Sequence, residues 1–147
     1  MSRSDGYIFV LWGNKFDEVA ATIFVVELRK AGFLVKVVGL TPPNIKGEYG
    51  LALVPDLTLD QALQKAASAI CIIIPNPAYQ VKHLRNDPRV SELFQQAHSN
   101  NAKFVVGQFC EDIRLDLDSL GITNIVEYPD DDLVKFVREL VNSLKAE

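Results

Sequence analysis

Hydrophobic residues gather along the chain into short unbroken runs. Between the runs they recur every three or four positions. "YIFVLW" (Tyr7–Trp12) is continuously apolar and β-prone, which suits a strand buried on both faces. In "KFDEVAATIFVVELRKAG", Phe16, Val19, Ala20, Ile23, Val26 and Leu28 fall near helical spacing. Arg29 and Lys30 stand in its last turn and Gly32 supplies the stop. Residues 33–40, "FLVKVVGL", read as a second strand, so the chain opens β-α-β.

Pro42, Pro43, Gly47, Gly50 and Pro55 then punctuate a looped excursion with at most a short hairpin near residues 51–54. "DLTLDQALQKA" reads as a short helix, and "AICIII" (Ala69–Ile74) as a third strand stopped by "PNP". Asp87 and Pro88 form an N-cap and an N1 proline for a helix with Val90, Leu93, Phe94 and Ala97 on one face. Residues 103–109 make a fourth strand, and "EDIRLDLDSLG" a helix closed by Gly121. "NIVEY" is a fifth strand. Residues 129–145 form a last helix opened by Pro129 and Asp130 to Asp132, with a wide stripe of Leu133, Phe136, Val137, Leu140, Val141 and Leu144. This alternation predicts one α/β domain over residues 1–147. It is a three-layer, flavodoxin-like sandwich on a mostly parallel sheet of about five strands.

Composition narrows the function classes. Hydrophobic residues make up 48% and charged residues 23% of 147 positions, ordinary for a soluble domain. A net charge of −4 forces no basic face, so nucleic acid is not the expected partner. The longest apolar run is too short to span a bilayer, and "MSRSDGY" has no apolar signal core, so a membrane is not expected either. Cys71 and Cys110 have no CxxC spacing, and His83 and His98 are the only histidines, so no zinc cluster forms. Two lone thiols suit a reducing cytoplasm.

In sheets of this kind ligands bind off the carboxyl ends of the strands, which directs attention to "GNKFD", "PNPAYQ" and "FCED". No GxGxxG, GxxxxGK[ST] or GxSxG is present, so no cofactor is implied. The strand ends "WGN" and "PNP" lack the acids of a phospho-receiver domain.

Four segments in order resemble the ThiJ/PfpI superfamily, relatives of class I glutamine amidotransferases. They are "AATIFVVELRKAGFLVKVVGL", "GEYGLALVPDLTLDQA", "IIIPNP" in place of L-P-G-G, and "LRNDPRVSELFQQAHSNNAKFVVGQFC". The resemblance spans roughly the first 120 residues, and the last third is shorter than usual for the family. It implies a nucleophilic cysteine at Cys110. It also implies an acid on the first helix, twelve residues before the helix-ending glycine. Counting back from Gly32 gives Ala20, with Asp17 and Glu18 on other faces of the helix. Asn76 and Pro77 replace the glycines that would give an oxyanion donor, and a proline has no N–H to give. Glu111, Asp112 and Ile113 replace the Gly-Pro elbow, and no histidine follows His98.

A thiolate at Cys110 would gain from a following helix N-terminus but is opposed by Glu111 and Asp112. Losing one oxyanion donor alone costs about 100- to 1,000-fold in rate. The reading favoured is a divergent family member that has lost catalysis and acts as a binding or scaffolding module. The alternatives are a cysteine-dependent amidase, glyoxalase or deglycase, and a redox-sensing thiol, each using Cys110. Asn14, Asn76, Pro77 and Glu111 are the candidate binding positions. Trp12 either lines a pocket or closes the core, Cys71 belongs to the core, and Asp17 and Glu18 serve the helix start. His83, Lys82 and Arg85 form a small basic cluster. The resemblance implies a homodimer, with a small molecule or another protein as further partner.

Overall fold

The computed structural model describes residues 6–40, 46–75, 87–108 and 111–146, with the side chains of residues 111 and 112 outside the description. In chain order the elements are β1 (Tyr7–Trp12), α1 (Glu18–Lys30), β2 (Leu34–Gly39), β3 (Leu57–Thr58), α2 (Leu59–Gln64), a 3₁₀ turn (Ala66–Ser68) and β4 (Ala69–Ile74). They continue with α3 (Pro88–Ser99), β5 (Lys103–Gly107), α4 (Glu111–Ser119), β6 (Ile125–Tyr128) and α5 (Leu133–Ala146). The sheet runs β3-β2-β1-β4-β5-β6, and every pairing is parallel. It has six strands rather than five because the excursion after β2 returns to add the two-residue edge strand β3. Without that edge the order is the flavodoxin pattern.

The unbroken apolar runs occupy the middle of the sheet. All six residues of β4 and five of the six in β1 are buried, as expected for strands covered on both faces. Cys71 is one of them, paired in register with Ile8 and Lys103. The inward face of α3 is Val90, Leu93, Phe94 and Ala97, as the spacing predicts. Asp87 Oδ1 caps that helix by accepting from Arg89 N at 3.0 Å. Hydrogen bonds from the Arg89 side chain hold the Asp87 carboxyl below its usual range. In α2, Thr58 and Gln61 form a reciprocal capping box.

Two helices depart from expectation. The last helix starts at Leu133, because Asp132 at φ 49° is left-handed and cannot lie inside it. Its stripe is core: Val137, Leu140 and Leu144 are buried, and Phe136 stands edge-on to Phe24 at 6.3 Å. In α1 the inward residues are Glu18, Ala20, Ala21, Phe24 and Leu28. Val19 and Val26, which helical spacing assigns to the apolar face, are exposed. Phe16 is buried ahead of the helix, edge-on to Trp12.

Candidate functional site

The carboxyl edge of the sheet is assembled first from the exit of β1. Trp12 is fully buried and lies opposite Gly39 of β2. It closes the core, and its indole N–H finds no hydrogen-bond partner among the described residues. Gly13 to Phe16 then turn the chain: Phe16 N donates to Gly13 O at 3.2 Å, and Lys15 takes φ 63°. Asn14 is exposed on this turn, at the sheet edge where ligands bind in such folds.

Asp17 caps α1, with Oδ1 accepting from Ala20 N at 3.1 Å. Its own N–H donates to Pro75 O at 2.6 Å, which ties the start of α1 to the exit of β4. Partial burial raises the Asp17 carboxyl above its usual value; the bond from Ala20 opposes this, and the Glu48 carboxylate adds to it.

Glu18 corrects the sequence reading. It is only 4% exposed, although it opens a helix where a carboxylate normally reaches solvent. Oε1 accepts from Tyr49 N, and Oε2 accepts from Leu51 N at 2.6 Å. Gly47 packs directly on the carboxylate. The loop so gripped is tied elsewhere to the same turn: Lys15 N donates to Lys46 O at 2.9 Å and Glu48 N to Phe16 O at 3.0 Å. Within the loop, Gly47 N donates to Leu51 O at 2.8 Å, and Lys46 bridges Ala52 antiparallel, a one-pair remnant of the predicted hairpin. An acid therefore does occupy this end of α1, two residues before the position reached by counting. The signal that could have found it is the glycine pair Gly47 and Gly50 around Tyr49, which lets a backbone approach a side chain closely.

The remaining candidates divide by place. β5 ends at Gly107 and α4 opens at Glu111, and Cys110 precedes α4 by one residue in the sequence. Cys110, Asn76 and Pro77 themselves lie outside the described residues, as do His83, Lys82 and Arg85. Glu111 is described as the first residue of α4 and no further. β1 and β5 are separated by β4, so their ends stand about 10 Å apart. His98 is in the last turn of α3, which leads into the start of β5, so it lies at the opposite edge. Among the described residues no three His, Cys, Asp or Glu side chains are placed to hold a metal ion. Among them, too, no helix is long and apolar enough to cross a membrane.

Residues 7–111 match the model of the DJ-1/PfpI family. The chain belongs to the DJ-1/PfpI family. No curated protein matches it in sequence. Its fold is similar to that of Drosophila melanogaster DJ-1beta, with a TM-score of 0.81 at 14% identity over 97% of this chain and 92% of that one. It is similar to oxidized Toxoplasma gondii DJ-1 at a TM-score of 0.80 and 14% identity, over 95% and 90% of the two chains. Schizosaccharomyces pombe DJ-1 gives a TM-score of 0.71 at 12% identity, over 93% and 90%. The likeness in fold thus runs beyond the family match, through β6 and α5.

Proposed function

We propose that this DJ-1/PfpI protein does not carry out the hydrolytic or deglycase chemistry of cysteine-dependent relatives, and acts as a binding module. The observation that carries the reading is the use made of Glu18. Both of its oxygens are engaged by backbone N–H groups of the 46–52 loop, so its carboxylate serves as a fastener. The sequence around Cys110 agrees. Pro77 has no N–H to offer an oxyanion, Glu111 and Asp112 disfavour a thiolate, and His98 lies at the far edge of the sheet. In this reading the ligand is a small molecule or a protein segment met at the carboxyl edge near Asn14, and the protein works as a cytoplasmic homodimer. Turnover of α-oxoaldehyde, amide and ester substrates tests it. Wild type and Cys110→Ser are expected to be indistinguishable, and a cysteine-dependent rate overturns it.

A second reading is a redox-sensing thiol. It is favoured by the place of Cys110 in the sequence, one residue before α4, where a helix N-terminus favours negative charge. The Toxoplasma gondii DJ-1 structure of similar fold is of an oxidized protein. Reversible oxidation to a sulfenic acid needs no oxyanion hole, so the loss of hydrolytic parts leaves it intact. Peroxide treatment followed by a sulfenic-acid probe separates the two readings.

A further inference from the structure

The helices on the far side of the sheet from α1 leave a gap between them. Right-handed crossovers that step away from β1 in opposite directions put α1 on one face and α3 and α4 on the other. Between α3 and α4 lies a cleft of about 300 Å³, at the small end of the range for small-molecule sites. Val90 and Phe94 of α3 and Ile113 of α4, all buried, line it together with Leu120. Its polar lining groups are Ser91, Asp116 and Ser119. Leu115, 61% exposed, stands one helical turn from Ser119 and continues the apolar surface past the rim.

We infer that this cleft binds a small amphiphilic amine, its apolar body on Val90, Phe94, Ile113 and Leu120 and its ammonium on Asp116. The polar groups present acceptors. Among the described residues Asp116 is the one charged side chain that lines the cleft. A carboxylate has about four acceptor sites, so it can receive a ligand's N–H alongside a partner within the protein. Ser119 Oγ donates its proton to Asp116 O at 2.7 Å, so lone pairs are what that hydroxyl offers a ligand. The arginines of the two helices are turned to other partners, Arg89 to Asp87 and Asp60, and Arg114 to Glu127. A carboxylate or phosphate ligand would meet like charge here. An apolar ligand without a donor would take water from Asp116 and return nothing. The body has room for one or two rings, since a cavity of about 150 Å³ already takes a benzene. Phe94, itself edge-on to Phe104 at 5.5 Å, gives such a ring an aromatic contact. None of these groups is Cys110 or Asn14, so the site holds or fails independently of the reading above.

Amide chemical shifts of the isotope-labelled full chain, titrated with phenethylamine, test the inference. Hydrocinnamate is the control, because it keeps the ring and reverses the charge. The amine is expected to shift amides from Val90 to Phe94 and from Ile113 to Leu120 at millimolar concentration, and the acid to bind about tenfold more weakly or not at all. Asp116→Asn, with an unchanged circular dichroism spectrum, is expected to weaken the amine by about tenfold and to bring the two ligands level. Ser91→Phe, which fills the cleft from its rim, is expected to abolish binding of both. An amine that shifts none of these amides overturns the inference. So does an acid that binds as tightly, an affinity indifferent to Asp116→Asn, or binding that survives Ser91→Phe. The comparison of amine with acid needs only wild type, so it decides the matter even where a variant fails to fold.

Discussion

A Cβ built on Gly47 would stand 2.5 Å from Oε2 of Glu18 and 2.7 Å from its Cδ. Only a glycine lets the 46–52 loop come close enough for both carboxylate oxygens to be used. Gly47→Ala is therefore expected to destabilise the protein by about 1–3 kcal/mol, seen as a lower urea midpoint at unchanged slope. In a Glu18→Ala background the same substitution should cost less, because the collisions with the carboxylate are gone and only the 2.8 Å approach to the Cβ of residue 18 remains.

Glu18→Gln removes one acceptor. The amide oxygen can serve one N–H, but its NH₂ then faces the other, donor against donor. The expected loss is about 1–3 kcal/mol, with faster amide exchange at Tyr49 and Leu51 than at residues of β1. Unchanged exchange at those two amides would contradict the role of Glu18 as a fastener.

Asp17 sets a pH dependence. Its folded carboxyl lies above the ordinary value of 3.8, chiefly through burial, so the folded state holds that proton more tightly than the unfolded chain. The resulting stability is fully present below 3.8 and is lost as pH rises through the raised folded value. Asn caps a helix as well as Asp does and carries no charge. Asp17→Asn should thus melt higher than wild type at pH 7, with the gap closing toward acid pH. Asp17→Ala should lose about 1 kcal/mol of capping. A wild type more stable than Asp17→Asn at pH 7 would contradict the sign.

Asp56 joins the edge of the sheet to α1. Its Oδ2 accepts from Val37 N at 2.8 Å and from Arg29 Nη2 at 2.8 Å, while Arg29 also donates to Val35 O. The ion pair is half-exposed and contributes little. The larger loss on Asp56→Ala comes from the stranded Val37 N–H, about 1–2 kcal/mol. Asp56→Asn retains an acceptor and should recover most of it, as denaturant midpoints would show.

The fold was legible where local pattern and burial agree. β1 and β4 are unbroken apolar runs in the buried middle of the sheet, and α3 is announced by Asp87, Pro88 and its four inward residues. α1 misleads because its sequence is apolar nearly all round, so periodicity alone cannot separate inward Ala20, Phe24 and Leu28 from outward Val19 and Val26. Glu18 was hidden for a different reason. Its partners lie 31 and 33 residues along the chain and are backbone N–H groups, which carry no side-chain signature. The edge strand β3 is two residues long, too short for any alternation to show.

Loss of catalysis is tested most directly at Cys110, which stands between β5 and α4 in the sequence. The measurement is the rate of alkylation of Cys110 against pH in a Cys71→Ser background. With Glu18 engaged by the loop and Glu111 and Asp112 adjacent, the rate should rise with an apparent pKa at or above the free-cysteine value of about 8.5. A thiol titrating well below that value would contradict the binding-module reading and make Cys110 a reactive centre.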